Sequence, residues 1–62
     1  MEVHEKYLTE KQVAEVTGIA LSTLRNDRSR KTGIPYSKLG RSVRYKLQDV
    51  LDFVEVRKIR TQ

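Results

Sequence analysis

The 62-residue chain lacks cysteine and tryptophan and holds a single histidine and a single proline. Without cysteine it cannot form disulfide bridges, thiolate zinc sites or a thiol nucleophile. One histidine, His4, does not by itself form a metal cluster or a catalytic triad. No apolar run approaches the roughly 18–20 residues of a membrane-spanning helix, and the first residues lack the layout of a signal peptide. These absences argue against an enzyme, a metal or cofactor site and a membrane protein.

The remaining composition describes one small basic domain. A domain of about 60 residues buries only roughly 60% of the surface that its unfolded chain exposes, so a large substrate cavity is not expected. The chain carries 13 Lys and Arg against 8 Asp and Glu, a formal charge of +5. Eight of these bases and one acid fall between residues 25 and 46, a local charge of +7, while the other five bases and seven acids leave −2. Such a basic block is typical of modules that bind a polyanion.

A first helix is predicted to begin after Thr9. Thr9 and Gln12 have the spacing of a capping box, in which each side chain accepts a hydrogen bond from the other residue's backbone. Gly18 is predicted to end the helix, because glycine adopts positive φ at little cost. Residues 1–6 show no periodicity and are expected to form a flexible tail, as are residues 60–62, leaving residues 7–59 as the domain.

A second helix is predicted from Ala20-Leu21 to about Arg30. Leu21, Leu24 and Arg28 share one side of it at 100° per residue. The opposite side is polar, with Arg25 and Ser29 flanking Ser22, Thr23, Asn26 and Arg30. Two short helices joined by a glycine turn make a helix-turn-helix, whose second helix enters the major groove of DNA. Asn pairs bidentately with adenine, Arg with guanine or phosphate, and Ser or Thr with base or backbone.

A hairpin is predicted after Ile34-Pro35, because the residue before a proline is pushed toward extended geometry. A three-residue loop from Gly40 to Ser42 pairs Leu39 with Val43. The hairpin then has an apolar face of Leu39, Val43 and Tyr45 and a basic face of Lys38, Arg44 and Lys46. A two-residue Gly40-Arg41 loop instead pairs Leu39 with Ser42 and mixes the faces, so the alternation favours the longer loop. A basic hairpin after a helix-turn-helix is typical of a wing that reaches over a phosphate backbone.

A third helix is predicted from Leu47 to about Ile59, with an apolar face of Val50, Leu51, Phe53 and Val54. Early acids and late bases match the helix macrodipole. The predicted fold is therefore mostly α with a small β-hairpin, a winged helix-turn-helix with the order α-α-β-β-α.

Two runs of residues carry a resemblance to a known family. The first holds Leu8-Thr9, Val13-Ala14, Thr17-Gly18-Ile19 and Ser22-Thr23-Leu24-Arg25, and it resembles the helix-turn-helix of MerR-like winged-helix proteins. The second holds Ile34-Pro35, residues 38–45, Asp49-Val50 and Phe53-Val54, and it is similar to the wing and last helix of the small excisionase/AlpA-type branch. The resemblance covers residues 7–59. It implies a prophage- or plasmid-type DNA-binding protein that regulates transcription or directs excisive recombination.

The resemblance also implies positions for the DNA contacts. They fall on Ser22, Thr23, Arg25 and Asn26 in the recognition helix and on Arg41, Ser42 and Arg44 in the wing. Phosphate attraction is expected from five bases, Arg25, Arg30, Lys38, Arg41 and Arg44. Sequence reading is expected from Ser22, Thr23 and Asn26. Ala20 departs from the Ser or Thr cap usual in the family, and Leu21 stands where a polar or basic residue is common. The long dimerisation helix and effector domain of full MerR regulators are not represented, so no small-molecule effector is implied.

The expected partner is double-stranded DNA, joined by an integrase or by further copies of the chain on tandem sites, with a nucleoid-associated location in the cytoplasm. The alternative function is a protein-interaction or antitoxin-like adaptor whose helix-turn-helix does not bind DNA. RNA binding is disfavoured, since three Tyr and one Phe supply few platforms on which exposed bases stack.

Overall fold

The computed structural model describes residues 6–58. Its elements are β1 (Tyr7–Leu8), α1 (Glu10–Thr17), α2 (Leu21–Ser29), β2 (Ser37–Leu39), β3 (Ser42–Lys46) and α3 (Leu47–Val56). Three helices and the antiparallel hairpin of β2 and β3 confirm the predicted winged helix-turn-helix and its order α-α-β-β-α. The predicted tails, residues 1–6 and 60–62, lie outside the described residues except for Lys6.

The start and end of α1 follow the predicted signals. The Gln12 backbone N–H donates to Thr9 Oγ1 at 3.2 Å, and the Thr9 backbone N–H donates to Gln12 Oε1 at 2.9 Å. Both bonds of the capping box are therefore present. Gly18 follows the helix with φ +78°, and its N–H donates to the Ala14 carbonyl at 2.8 Å. The capping box and the glycine turn are confirmed.

A short strand that the sequence did not predict, β1, precedes α1. It pairs with the end of β3 through Tyr7–Lys46 and Leu8–Tyr45, giving a three-stranded sheet in the order β1-β3-β2. The Lys6 carbonyl accepts a further hydrogen bond from the Leu47 N–H at 2.8 Å. The residues before α1 are thus joined to the start of α3. Two residues are too few to show a strand's alternation, which is why this strand was missed.

The loop of the hairpin differs from the prediction. The pairs are Ser37–Arg44, Lys38–Val43 and Leu39–Ser42, so the loop holds two residues, Gly40 and Arg41. Gly40 has φ +65° and Arg41 does not have positive φ, the pattern of a type II′ turn with glycine in its first central position. A three-residue loop instead needs its positive φ at the third position, which Ser42 occupies. Turn chemistry therefore outweighs the alternation of the strands.

This register changes which side chains share a face. Leu39 lies on the face of Ser42 and Arg44 and is 62% exposed. Lys38 pairs with Val43 and lies on the face that carries Val43 and the buried Tyr45. The predictions that Leu39 joins the apolar face and that Lys38 shares the basic face with Arg44 are both wrong.

The core lies between the helices and the sheet. Every element except β2 contributes one buried residue to it, and Ile34 comes from the segment between α2 and β2. The buried residues are Leu8, Val13, Leu24, Ile34, Tyr45 and Val50. Tyr45 is the largest fully buried side chain, with 1% of its surface exposed. Because Tyr45 sits in β3, between β1 and β2, the core fixes the hairpin relative to the helices.

The third helix is shorter and more exposed than predicted. It ends at Val56, and Ile59, its predicted end, lies outside the described residues. Val50 is fully buried and Phe53 packs against the core, whereas Leu51 and Val54 are nearly half exposed. The predicted apolar face is therefore only partly covered by the domain itself.

Candidate nucleic-acid interface

The polar face of α2 is open to solvent. Leu24 is its buried residue and Leu21 packs partly against the core, which turns the other side outward. The predicted contact residues on this helix and at its C-cap, Ser22, Thr23, Arg25, Asn26 and Arg30, are all exposed. Residues three and four apart lie side by side on a helix, so Ser22, Arg25 and Asn26 form one continuous patch. The structure brings these predicted residues together.

The N-terminus of α2 lacks a side-chain cap. Ala20 occupies the N-cap position with extended backbone angles, φ −64° and ψ 146°, and makes no capping hydrogen bond. Its methyl side chain has no acceptor for the first N–H groups of the helix, which a Ser, Thr, Asp or Asn side chain would supply. Ala20, which replaces the Ser or Thr cap usual in the family, therefore leaves the first backbone N–H groups of α2 without a side-chain acceptor.

Arg25 is held by an acid that the sequence did not single out. Its Nε donates to Glu10 Oε1 at 3.2 Å and its Nη2 donates to Glu10 Oε2 at 2.6 Å. Glu10 lies in the first turn of α1, where the helix dipole favours a negative charge. This bidentate ion pair joins α1 to α2, the predicted recognition helix. The side chain of Arg25 nevertheless stays 58% exposed.

Arg28 continues this network into the core. Its Nη2 donates to Glu10 Oε1 at 3.1 Å, and its Nη1 donates to the hydroxyl of Tyr45 at 2.7 Å. Its guanidinium carbon also lies 5.8 Å from the ring centroid of Tyr36 and 6.0 Å from that of Tyr45. Arg28 is therefore a packing residue with a partly buried charge, which fits its predicted place on the apolar side of α2.

The two arginines change the acidity of Glu10. Hydrogen bonds from Arg25 lower the pKa of the Glu10 carboxyl below its ordinary value of 4.5, with Arg28 adding to the effect and partial burial opposing it. The carboxylate is therefore ionised at neutral pH. One acid from outside the basic block thus offsets part of the charge of residues 25–46.

The wing arginines adjoin this network. Arg41 is exposed at the hairpin tip, and Arg44 is half-buried with its Nη1 donating to the Val43 carbonyl at 2.8 Å. A groove of about 390 Å³ separates the wing from the start of α1, and its walls are Thr9, Glu10, Lys11, Arg28, Arg41, Val43 and Arg44. The wing and the Glu10 network therefore form two walls of one depression. Lys11 joins the basic side chains at this groove, although its position in the chain did not indicate it.

The other predicted wing residues are accessible as well. Ser42 is exposed beside the turn, and Lys38 is exposed on β2, on the opposite sheet face from Arg44. Lys38 and Arg44 therefore extend the basic surface on two sides of the wing and do not form one row.

Residues 6–58 contain no cluster of His, Cys, Asp and Glu that could hold a metal ion. Within the same range, no helix has the length and apolarity to cross a bilayer.

Comparison with known proteins extends these observations. A family model described as a helix-turn-helix domain matches residues 7–58, a range that takes in every element of the structure. No curated protein and no solved structure matches the chain significantly. The match confirms the predicted resemblance at the level of a helix-turn-helix DNA-binding protein. The chain therefore belongs to the helix-turn-helix domain family, a family of DNA-binding domains.

Proposed function

We propose that the chain binds double-stranded DNA in a sequence-specific manner, as a small prophage- or plasmid-type transcriptional regulator or excisionase. In this proposal α2 enters the major groove, and the wing, residues 36–46, follows the backbone or the adjacent minor groove. The observation that carries it is the exposed polar and basic face of α2, together with the wing bases Arg41 and Arg44, which line a groove with Glu10. The negatively charged backbone of duplex DNA fits a surface of this sign.

Within this interface the side chains divide by chemistry. Asn26, Ser22 and Thr23 are uncharged hydrogen-bonding groups suited to base edges, with Asn26 matched to adenine. Arg25, Arg30, Lys38, Arg41 and Arg44 supply the positive charge that attracts phosphates, and Ser42 adds a hydroxyl beside the turn. Sequence preference is thus assigned to α2 and general affinity mainly to the wing.

The test is amide chemical-shift mapping of the labelled protein against a duplex of random sequence. The proposal predicts shifts concentrated in α2 and in residues 38–44. Absence of any shift, or shifts confined to α3, would contradict it and would favour the adaptor function instead.

A matched pair of charge variants sharpens this test. Arg41→Ala and Lys58→Ala each remove one exposed positive charge, but Lys58 follows α3 and pairs with Glu55 at 3.7 Å. We expect Arg41→Ala to weaken binding to every duplex alike, because phosphate contacts carry no sequence information. Lys58→Ala is expected to bind nearly as the parent does. Equal losses in both variants would mean that the wing makes no specific contribution.

The regulator and the excisionase differ in what they do to DNA. An excisionase occupies tandem sites and bends DNA with an integrase as partner, whereas a regulator occupies a promoter. Gel-shift bending analysis compares fragments that carry an attachment site with fragments that carry the neighbouring promoter. Preferential binding and bending of the attachment site supports the excisionase, and preferential binding of the promoter supports the regulator. Either function requires a nucleoid-associated location in the cell.

The adaptor is kept as the second candidate because α3 exposes apolar surface. Leu51, Val54 and Val56 are 47%, 46% and 79% exposed, and all three lie in α3. Such side chains suit a protein contact. A protein contact through α3 is compatible with DNA binding through α2 and the wing. Only the mapping experiment therefore separates an adaptor from a DNA-binding protein with a partner.

A further inference from the structure

The ion pair between Arg25 and Glu10 occupies only one edge of the guanidinium group. Glu10 accepts from Nε and Nη2, the two nitrogens on the side of the group nearest the stem. A guanidinium carries five N–H donors in a rigid planar fork, so its outer edge, Nη1 with the second hydrogen of Nη2, keeps two parallel donors. Among the described residues, Nη1 of Arg25 has no hydrogen-bond partner. The outer edge is therefore available to a ligand.

The network behind Glu10 limits the motion of this group. Glu10 also accepts from Arg28, and Arg28 in turn donates to the hydroxyl of the buried Tyr45. The exposed guanidinium of Arg25 is thus linked to the core through two successive side chains. Its pose is set before any ligand arrives, which lowers the entropy cost of a directional contact.

We propose that Arg25 reads a guanine base with this outer edge and that Glu10 is the positioning residue that aims it. The proposal rests on the DNA-binding function above and adds a base-reading role for an arginine that charge alone would assign to phosphate. Two parallel donors match the O6 and N7 acceptors of guanine in the major groove. Ser22 lies about one turn before Arg25, and Asn26 is the next residue after it and lies one turn beyond Ser22, so the guanine is expected next to bases that Ser22 and Asn26 contact.

The charge of Glu10 makes the proposal distinguishable from a simple phosphate contact. A carboxylate beside the interface repels DNA and so weakens binding to every sequence. If Arg25 only attracts phosphate, Glu10 opposes it and its removal is purely favourable for binding. If Glu10 aims Arg25 at guanine, its removal strengthens general binding while reducing discrimination. The two effects then have opposite signs.

The first experiment selects ligands from a library of random duplexes with the parent protein and with Arg25→Lys. Lysine keeps the positive charge but lacks the planar fork. We expect the parent to select a motif containing a guanine, and Arg25→Lys to lose about tenfold or more of the preference at that position, as the loss of one bidentate base contact implies. An unchanged guanine preference in Arg25→Lys would overturn the proposal.

The second experiment compares Glu10→Gln with Glu15→Gln, two variants that each remove one negative charge from α1. Glu15 is exposed and makes no ion pair among the described residues. We expect Glu10→Gln to bind random duplex more tightly and to discriminate less well at the guanine. Glu15→Gln is expected to keep its discrimination. Full discrimination in Glu10→Gln would overturn the positioning role.

Failure of the inference and failure of the proposed function give different results. A parent protein that selects no motif overturns sequence-specific DNA binding, and with it the inference. A parent that selects a motif, together with an Arg25→Lys variant that selects the same motif, overturns the inference alone. Circular dichroism of each variant shows whether the fold is kept. We expect it to be kept, because Arg25 and Glu15 are exposed and Glu10→Gln preserves the size of a half-buried side chain.

Discussion

The two helices of the helix-turn-helix are stabilised in different ways. Both ends of α1 are capped by nearby residues, through the Thr9–Gln12 box and the Gly18 turn. The second helix begins at an uncapped Ala20, although it buries one residue, Leu24, as α1 buries Val13. It is attached to the rest of the domain by that leucine and by the ion pairs of Arg25 and Arg28. The ends of α1 are thus stabilised by nearby residues, while α2, which lacks an N-terminal cap, depends more on tertiary contacts.

The largest expected effect comes from removing the apolar anchor of α2. Leu24→Ala is expected to lower the free energy of unfolding by about 2–5 kcal/mol, since it leaves a cavity in a core with few members. Val16→Ala on α1 is the control, because Val16 is 58% exposed and its truncation should change stability by less than about 0.5 kcal/mol. Urea unfolding measures both. Equal losses would mean that the burial of Leu24 stabilises the protein no more than an exposed apolar side chain does.

The polar anchor of α2 is expected to contribute less. Arg28→Met keeps an apolar stem but leaves the buried hydroxyl of Tyr45 without its donor, at a cost of about 1–3 kcal/mol. Tyr45→Phe removes that hydroxyl, so the double variant should lose less than the sum of the single losses. A double-mutant cycle in thermal unfolding gives this coupling. Additive losses would show that the 2.7 Å contact contributes nothing.

Changes to the helix caps test the contrast directly. Thr9→Ala is expected to destabilise the protein by about 1 kcal/mol, because it removes the acceptor of the capping box. Ala20→Ser is expected to stabilise it by a similar amount, because it supplies the acceptor that α2 lacks. Opposite shifts in the urea midpoint support the account. A loss of stability in Ala20→Ser would contradict it.

The smallest expected effect is a pH dependence from Glu10. Its pKa is lowered in the folded protein, so the folded state binds fewer protons than the unfolded state, and the ion pair stabilises the protein above the ordinary pKa of 4.5. That stability is lost as the pH falls through the lower, folded-state pKa. The effect is expected to be small, because the side chain of Arg25 is 58% exposed and water screens the pair. Glu10→Gln should therefore flatten the stability curve at acidic pH, and an unchanged curve would contradict the assignment.

Local signals predicted α1 and failed for the hairpin register. Thr9, Gln12 and Gly18 act within a few residues of one another, so the sequence contains the whole cause of the helix ends. The predicted register was based on the alternation of apolar residues, which paired Leu39 with Val43. Gly40 at the first loop position instead favours a two-residue type II′ turn, which pairs Leu39 with Ser42. Weighting the turn glycine above the alternation would have given the observed pairing.

The features that were missed depend on residues far apart in the chain. Glu10 pairs with side chains 15 and 18 residues away, and no local periodicity marks it. Strand β1 exists only because Leu8 meets Tyr45 across the folded sheet. The exposed face of α2 was predictable, since the spacing of Leu21 and Leu24 determines which side turns outward. The groove between the wing and the start of α1 became visible only in the folded structure.

The salt dependence of DNA binding tests the central claim most directly. The Lys and Arg side chains of α2 and the wing are expected to neutralise about five or six phosphates. A plot of log K against log salt concentration should therefore have a slope near −5. The measurement uses the whole chain, a duplex of random sequence and a titration from low to moderate salt. A slope near −5 supports a surface in which α2 and the wing meet DNA together. Binding that hardly changes with salt would contradict it.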